Sequence, residues 1–387
     1  MKILHIATDE KFINSANRTF EIAFPNSNHF IILHSIINSA LKYVDKTSNI
    51  EIIHRQKNSE IIIAKKCEKF DCIILHSISL FNSTVFLESS VKNRFIGMIW
   101  GAEVYNNFNI IGRNVLGPNT SKIKSKFDRH SLKVKFKNLI KNIIYNKYIL
   151  YPFPIQITLK RLNYISVLHK EEYNYFIKKN IISKNCRFVP FTYYPLEYIM
   201  KGNDKKIITG NNILLGNSAS LTNNHLEAFE ILRDFKIDCR KIITPLSYGN
   251  IQYAKYIKSI GYKKFGSSFQ PLLSFMPLHE YNNVIQSCGI VVMNHYRQQA
   301  MGNILAAIWL GSKVYLNKSN TVYHYLKRIG IYVFSIENDL VPDNIIALQN
   351  LTFDEIKHNR NILVQEIGED KIVIQLRDYI SKFPPTH

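Results

Sequence analysis

Cysteine is scarce in this chain. There are five, Cys67, Cys72, Cys186, Cys239 and Cys288, and no two stand in a C-x-x-C pair. Neither a disulfide framework nor a zinc site is supported, and a reducing compartment fits such scattered thiols. Long apolar runs are missing too. No stretch approaches the ~18 uninterrupted apolar residues that a membrane-spanning helix needs. The start, Met1–Glu10, lacks the basic and apolar regions of a secretory signal. The chain is therefore expected to be neither integral to a membrane nor secreted. Acids are short in supply, 29 Asp and Glu against 50 Lys and Arg in 387 residues, which leaves a formal charge of +21. That excess predicts attraction to polyanions or to an anionic membrane surface. The 13 histidines form no H-E-x-x-H or close ligand pair, there is no Asp-x-Asp after a strand, and no G-x-x-x-x-G-K-[ST] loop appears. No metal site is expected.

What is present is rhythm. Apolar residues make up 46% of the chain, enough for two cores, and the length favours two domains. Short apolar runs at 2–7, 29–34, 50–54, 71–76 and 94–100 alternate with the helix-length segments 56–70 and 81–92. That pattern predicts parallel strands joined by crossover helices. It resumes at 164–168 and 187–189. After a polar, turn-rich linker it begins again, with strands expected at 213–216, 241–244, 263–266, 289–293, 313–316 and 332–334. The expected organisation is one domain over 1–200, a second over 212–352 and a helical tail over 353–387. The architecture this suggests is α/β, two Rossmann-like domains facing a cleft. One stretch has another texture. Residues 121–153 hold nine Lys and Arg against the single acid Asp128, interleaved with Phe127, Phe136, Ile140 and Ile144, a basic amphipathic segment.

Ligands in such sheets bind beyond the carboxyl ends of strands, and three loops there carry suitable residues. Gly216-Asn217-Ser218 follows a strand and precedes a helix expected over 221–235, with Asn224 and His225 in its first turn. Exposed backbone N–H groups and a helix N-terminus make an anion seat suited to phosphate. Arg297-Gln298-Gln299, with Gly302 and Asn303, opens an apolar helix, and adds a guanidinium capable of bidentate phosphate contacts. Glu103, in Trp100-Gly101-Ala102-Glu103, is a carboxylate placed for acid/base work or for gripping a sugar hydroxyl. Asp9 beyond the first strand and Glu280 before the strand at 289–293 are further candidates; capping accounts for Asp9 equally well, and an exposed helical Glu is the plainer reading of Glu280.

Taken together, the Glu103 motif, Gly216-Asn217-Ser218 with Asn224-His225, Arg297-Gln298-Gln299 with Gly302, and Leu316-Asn317 resemble one family. It is the TDP-N-acetylfucosamine:lipid II N-acetylfucosaminyltransferase family, glycosyltransferase family 56, also described as 4-alpha-L-fucosyltransferase. Glu103 stands where that family usually has Asp, and Ala300 where it has Gly. The resemblance implies a GT-B fold and a metal-independent transferase without a cofactor. Its donor would be a nucleotide diphosphate sugar, dTDP-linked and of the N-acetylfucosamine kind. Its acceptor would be an undecaprenyl-diphosphate-linked saccharide, in O-antigen or enterobacterial common antigen assembly at the cytoplasmic face of the inner membrane. The resemblance also gives Gly216, Asn217, Ser218, Asn224, His225, Arg297, Gln298, Gln299, Gly302 and Asn303 to the donor nucleotide. Glu280 is grouped with them, and Glu103 and Asp9 are the catalytic candidates. A GT-B transferase with another donor sugar, for capsule or lipopolysaccharide core, is the alternative. Nucleic acid is not an expected partner, because the cations gather in one amphipathic stretch and no helix-turn-helix, zinc-finger or RNP signature appears.

Overall fold

The computed structural model describes residues 1–34, 40–112, 115–127, 154–200, 205–237 and 239–383. Two compact units divide the chain. One comprises Met1–Arg113, Val134–Pro195 and Ile367–His387, the other Asn114–Lys133 and Leu196–Glu366.

In the first unit the strands are β1 (Ile3–Thr8), β2 (Asn28–His34), β3 (Ile50–His54), β4 (Cys72–His76), β5 (Phe95–Met98), β6 (Tyr164–Val167) and β7 (Arg187–Pro190). They form one parallel sheet in the order β3-β2-β1-β4-β5-β6-β7. β4 is buried throughout, as a strand covered by helices on both faces must be. Ile3, Phe20, Ile74, Val189 and Leu376 share its core.

The second unit repeats the plan with β8 (Ile213–Leu215), β9 (Ile242–Pro245), β10 (Phe269–Leu272), β11 (Ile290–Met293), β12 (Lys313–Leu316) and β13 (Phe334–Ser335). Its order is β10-β9-β8-β11-β12-β13. Both sheets therefore follow the doubly wound 3-2-1-4-5-6 order, and each changes direction between its first and fourth strands, β1 and β4 or β8 and β11. Crevices open at the carboxyl ends of such pairs.

Four expectations are corrected. No strand runs over 263–266. Ile251–Phe265 is one helix burying Tyr253, Ala254, Ile257 and Gly261, and the strand follows at β10. Pro271 fits there because β10 is an edge strand and needs fewer ladder bonds. The helix read over 221–235 begins as a 3-10 turn, Leu221–Asn223, and becomes α-helical only over His225–Leu232. The helical tail is not a body of its own. Phe353–Ile367 goes almost wholly with the second unit, whereas Glu369–Ile380 packs on the Ile13–Ala23 helix and β7 of the first. Residues 115–127 also leave the first unit for the second. Most of the basic segment, 128–153, lies outside the described residues, as does part of the linker, 201–204.

Candidate functional site

Gly216 ends β8 with φ at +68°, a left-handed conformation that glycine adopts without strain. A Cβ at this position would lie 2.6 Å from Asn223 Oδ1 and 3.0 Å from His225 Nε2. The tight turn folds the loop back on the short 3-10 turn, and Asn223 becomes its hub. Its Oδ1 accepts the Asn217 N–H at 2.9 Å and meets His295 Nε2 at 2.9 Å, while its Nδ2 donates to Ser218 Oγ at 3.1 Å. An amide oxygen only accepts, so His295 Nε2 carries the proton and Nδ1 the lone pair.

The second turn joins the first through side chains. Thr222 Oγ1 donates to Gln299 Oε1 at 2.7 Å, and Gln299 Nε2 donates to Asn217 Oδ1 at 3.4 Å. Asn224, itself left-handed at φ +51°, donates to the Asn294 carbonyl at 3.0 Å and accepts the Gly117 N–H at 2.8 Å. Asn317 Nδ2 reaches Asn294 Oδ1 at 3.2 Å. Arg297, half-buried, donates from Nη1 to the Gln298 carbonyl at 3.1 Å. Ala300 caps the Met301–Leu310 helix at φ +58°, a strained setting for a residue with a Cβ. A Cβ on Gly302 would meet nothing within 4 Å. Open space surrounds the first turn of that helix, where N–H groups lack partners of their own.

Electrostatically the pocket is built around neutral imidazoles. Burial pulls His225 and His295 down to about 3, with the Arg297 charge adding to the effect on His295. His225 Nδ1 meets the Tyr253 hydroxyl at 3.1 Å. His225 Nε2 and His295 Nδ1 are buried without a hydrogen-bond partner. Buried polar atoms are almost always paired, and these two nitrogens are exceptions, His225 Nε2 lying next to Gly216. A cavity of about 450 Å³, lined by Asn294, Tyr296, Asn317, Glu227 and Glu337, opens at the loop after β11, and neither imidazole lines it. Among the described residues no three His, Cys, Asp or Glu side chains gather as a metal site would require.

The structure thus draws together Gly216, Asn217, Ser218, Asn224, His225 and Gln299, all legible as candidates. Asn303 stands one helical turn away, 3.4 Å from the Tyr281 hydroxyl. Glu280 is exposed on the Leu278–Gln286 helix. His295 and Asn294 are not among the candidates read from the sequence. The signal available was their place directly after β11, the fourth strand of the sheet.

Glu103 and Asp9 lie in the first unit. Glu103 Oε1 accepts the backbone N–H groups of Trp100 at 3.0 Å and Ile78 at 3.2 Å, which pins the ends of β4 and β5 together. Burial raises its pKa, opposed by backbone N–H groups at Glu103, Trp100, Ile78 and Gly101. Asp9 is engaged differently. Its two oxygens accept the N–H groups of Lys42 at 2.6 Å, Tyr43 at 3.0 Å and Val44 at 3.0 Å, so it holds the 41–44 loop.

Solved structures share this architecture along the whole chain. Sucrose-phosphate synthase from Thermosynechococcus elongatus superimposes with a TM-score of 0.63 at 8% identity, covering 99% of each chain. A glycosyltransferase from Rickettsia africae ESF-5 gives 0.59 at 11% identity, again over 99% of each. Anabaena HepE, solved in complex with UDP and glucose, gives 0.57 at 10% identity over 98% of this chain and 99% of its own. These likenesses establish the GT-B fold. The model of the family described as 4-alpha-L-fucosyltransferase, glycosyl transferase group 56, matches residues 146–361. That span takes in more than half the chain and both turns of the Asn223 cluster, so this chain belongs to the group 56 glycosyltransferases.

Proposed function

We propose that the protein transfers a deoxyamino sugar of the N-acetylfucosamine type from a dTDP-linked donor to an undecaprenyl-diphosphate-linked saccharide, at the cytoplasmic face of a bacterial inner membrane. O-antigen or enterobacterial common antigen assembly is the setting that this pairing suits. The observation that carries the reading is the glycine turn after β8, held by the Asn223 cluster, with the Arg297 charge and the open space at Gly302 near it. In the reaction an acceptor hydroxyl oxygen bonds to the anomeric carbon while the bond from that carbon to the diphosphate breaks. Negative charge grows on the departing diphosphate. In this reading the first turn of the Met301–Leu310 helix and the Arg297 guanidinium stabilise that charge, with no metal required. The hydroxyl proton must leave, and Glu103 is the carboxylate assigned to the acceptor side, its raised pKa moving it toward the useful range for a base. Asp9, saturated by three N–H groups, shapes the loop beside it.

Thermal shift against dTDP, UDP and GDP tests the donor half. dTDP is expected to raise the melting temperature, since a ligand binding only the folded state stabilises it. Arg297→Ala removes a charge-assisted contact of about 1.5–3 kcal/mol, so dTDP should bind some tenfold or more weakly to a protein that still folds. No response to any nucleoside diphosphate would overturn the reading. A panel of nucleotide sugars with lipid-linked acceptors, assayed in excess EDTA, identifies the donor and tests metal independence.

A further inference from the structure

Four aromatic rings meet at the carboxyl edge of the first unit. Phe12, in the loop after β1, lies with its ring centroid 5.6 Å from Trp100, 5.6 Å from Tyr193 and 5.4 Å from Tyr194, at interplanar angles of 62°, 47° and 56°. Trp100 follows β5, and the two tyrosines follow β7. All four are half-buried.

Beneath them runs a buried hydrogen-bond chain with one possible direction. Asn28 Nδ2 donates to the carbonyls of Phe20 and Phe24 and to Glu21 Oε1, which leaves Oδ1 facing His5 Nε2 at 3.2 Å. That nitrogen must donate, so His5 Nδ1 holds a lone pair and takes the His76 Nε2 proton at 3.0 Å. His76 Nδ1 then accepts from the Tyr193 hydroxyl at 2.9 Å, and the Tyr193 oxygen accepts Trp100 Nε1–H at 2.8 Å. Both imidazoles must be neutral for this to work. Burial holds His5 well below its ordinary value and His76 at about 3, with His76 contributing to the shift on His5. A core needing only stability would fill these positions with apolar side chains. A fully satisfied polar chain instead fixes one arrangement, and here the thing fixed is the indole plane of Trp100.

We propose that Phe12, Trp100 and Tyr194 form a stacking platform for the saccharide of the acceptor, with Tyr193, His76 and His5 as the residues that position it. This rests on the transferase reading above. His5 and His76 carry the chain across β1 and β4, the pair between which the sheet reverses. The rings stand at angles to one another, and Asp9, Glu10 and Lys11 precede Phe12 in the same loop. A pyranose offers an apolar C–H face to a ring and hydroxyls to such a rim, the mixture by which binding sites fix orientation. An isoprenoid tail would call for a continuous exposed apolar strip, and these rings are half-covered.

Fluorescence tests this without turnover. In a Trp309→Phe background Trp100 is the sole indole. Titration with N,N′-diacetylchitobiose is expected to change its emission saturably, and farnesyl diphosphate is not. Phe12→Ala and Tyr194→Ala should each raise the acceptor KM roughly 3- to 10-fold and leave dTDP affinity as it was. Tyr193→Phe should raise the same KM and alter the Trp100 emission before any ligand is added, lower the melting temperature because His76 Nδ1 and Trp100 Nε1–H lose their partner, and leave dTDP affinity as it was. An emission that answers only to farnesyl diphosphate, or unchanged acceptor KM in both ring variants, overturns the platform. If dTDP still stabilises the protein in that case, the transferase reading survives it; loss of the dTDP response as well condemns the reading itself.

Discussion

One added methyl group separates two glycines in the same site. At Gly216 a Cβ collides with Asn223 and must adopt φ +68°. Gly216→Ala should therefore destabilise the second unit by about 1–3 kcal/mol and abolish dTDP binding, as calorimetry and titration would show. At Gly302 the same methyl enters open space on a helix. Gly302→Ala should leave stability unchanged or improve it by up to about 1 kcal/mol, while shrinking the dTDP-induced thermal shift, because the methyl occupies the ligand's approach. Equal effects at the two positions would refute the assignment of the open side to the ligand. The buried imidazoles set the pH response. His76, His225 and His295 sit at about 3 in the folded protein, against ~6.5 unfolded, and His5 shifts the same way. The unfolded chain thus binds more protons below pH 6.5, and stability falls as pH falls. Each such histidine withdraws roughly 2 kcal/mol between pH 7 and 5. Glu103, with a raised folded pKa, acts in the opposite sense. Urea midpoints at pH 7 and 5 should show the net loss, and a flat profile would exclude neutral buried imidazoles.

Helices and strands were legible where period and burial agree. β4 and β11 are unbroken apolar runs buried along their length, and both were placed within a residue or two. Residues 263–266 misled because Tyr262-Lys263-Lys264-Phe265 is too short a stretch to fix a period, so a helix end and a strand look alike. Only the packing of Gly261 against the Phe269 ring decides between them. The site divides similarly. Small and polar residues after β8 announce an anion seat, but Asn223 as hub, and its bond to His295 72 positions away, depend on which strands are neighbours. The Glu369–Ile380 helix shows the same limit, since its amphipathic face does not say which unit it covers. It buries Ile372, Leu376 and Ile380 against the first unit, and Arg377 donates to the carbonyls of Ala23 and Ile22 at 3.0 and 2.8 Å. Leu376→Ala should cost about 2–5 kcal/mol. Removing the more exposed ion pair with Arg18→Ala, whose partner is Glu369 at 2.7 Å, should cost under about 1 kcal/mol. Chemical denaturation that reversed this ranking would contradict the docking.

The charge of +21 is a property of the entire chain, and residues 121–153 concentrate it. No helix among the described residues is long and apolar enough to cross a membrane. Adsorption by the basic segment is the route proposed to a lipid-linked acceptor. Each cation near an anionic bilayer contributes on the order of 1 kcal/mol, screened over ~8–10 Å. The protein should sediment with anionic liposomes at low salt and be partly released at high salt, and replacing Lys133, Lys135, Lys137 and Lys141 with Gln should weaken that binding. Normal liposome binding by the quadruple variant, with activity lost on a soluble acceptor, would move the segment from the membrane to the active site.

The chain visits each unit more than once, and its route imposes an order of birth. The ribosome makes every strand of the first sheet before any strand of the second. The Glu369–Ile380 helix that covers the first unit's core emerges only after the second unit's last residue, Glu366, has been added. The half begun first is completed last. Throughout synthesis of the second unit, the surface built from Phe20, Val189 and Phe191 waits uncovered in the nascent chain. That wait leaves apolar surface of the first unit, and not of the second, open to association while synthesis continues.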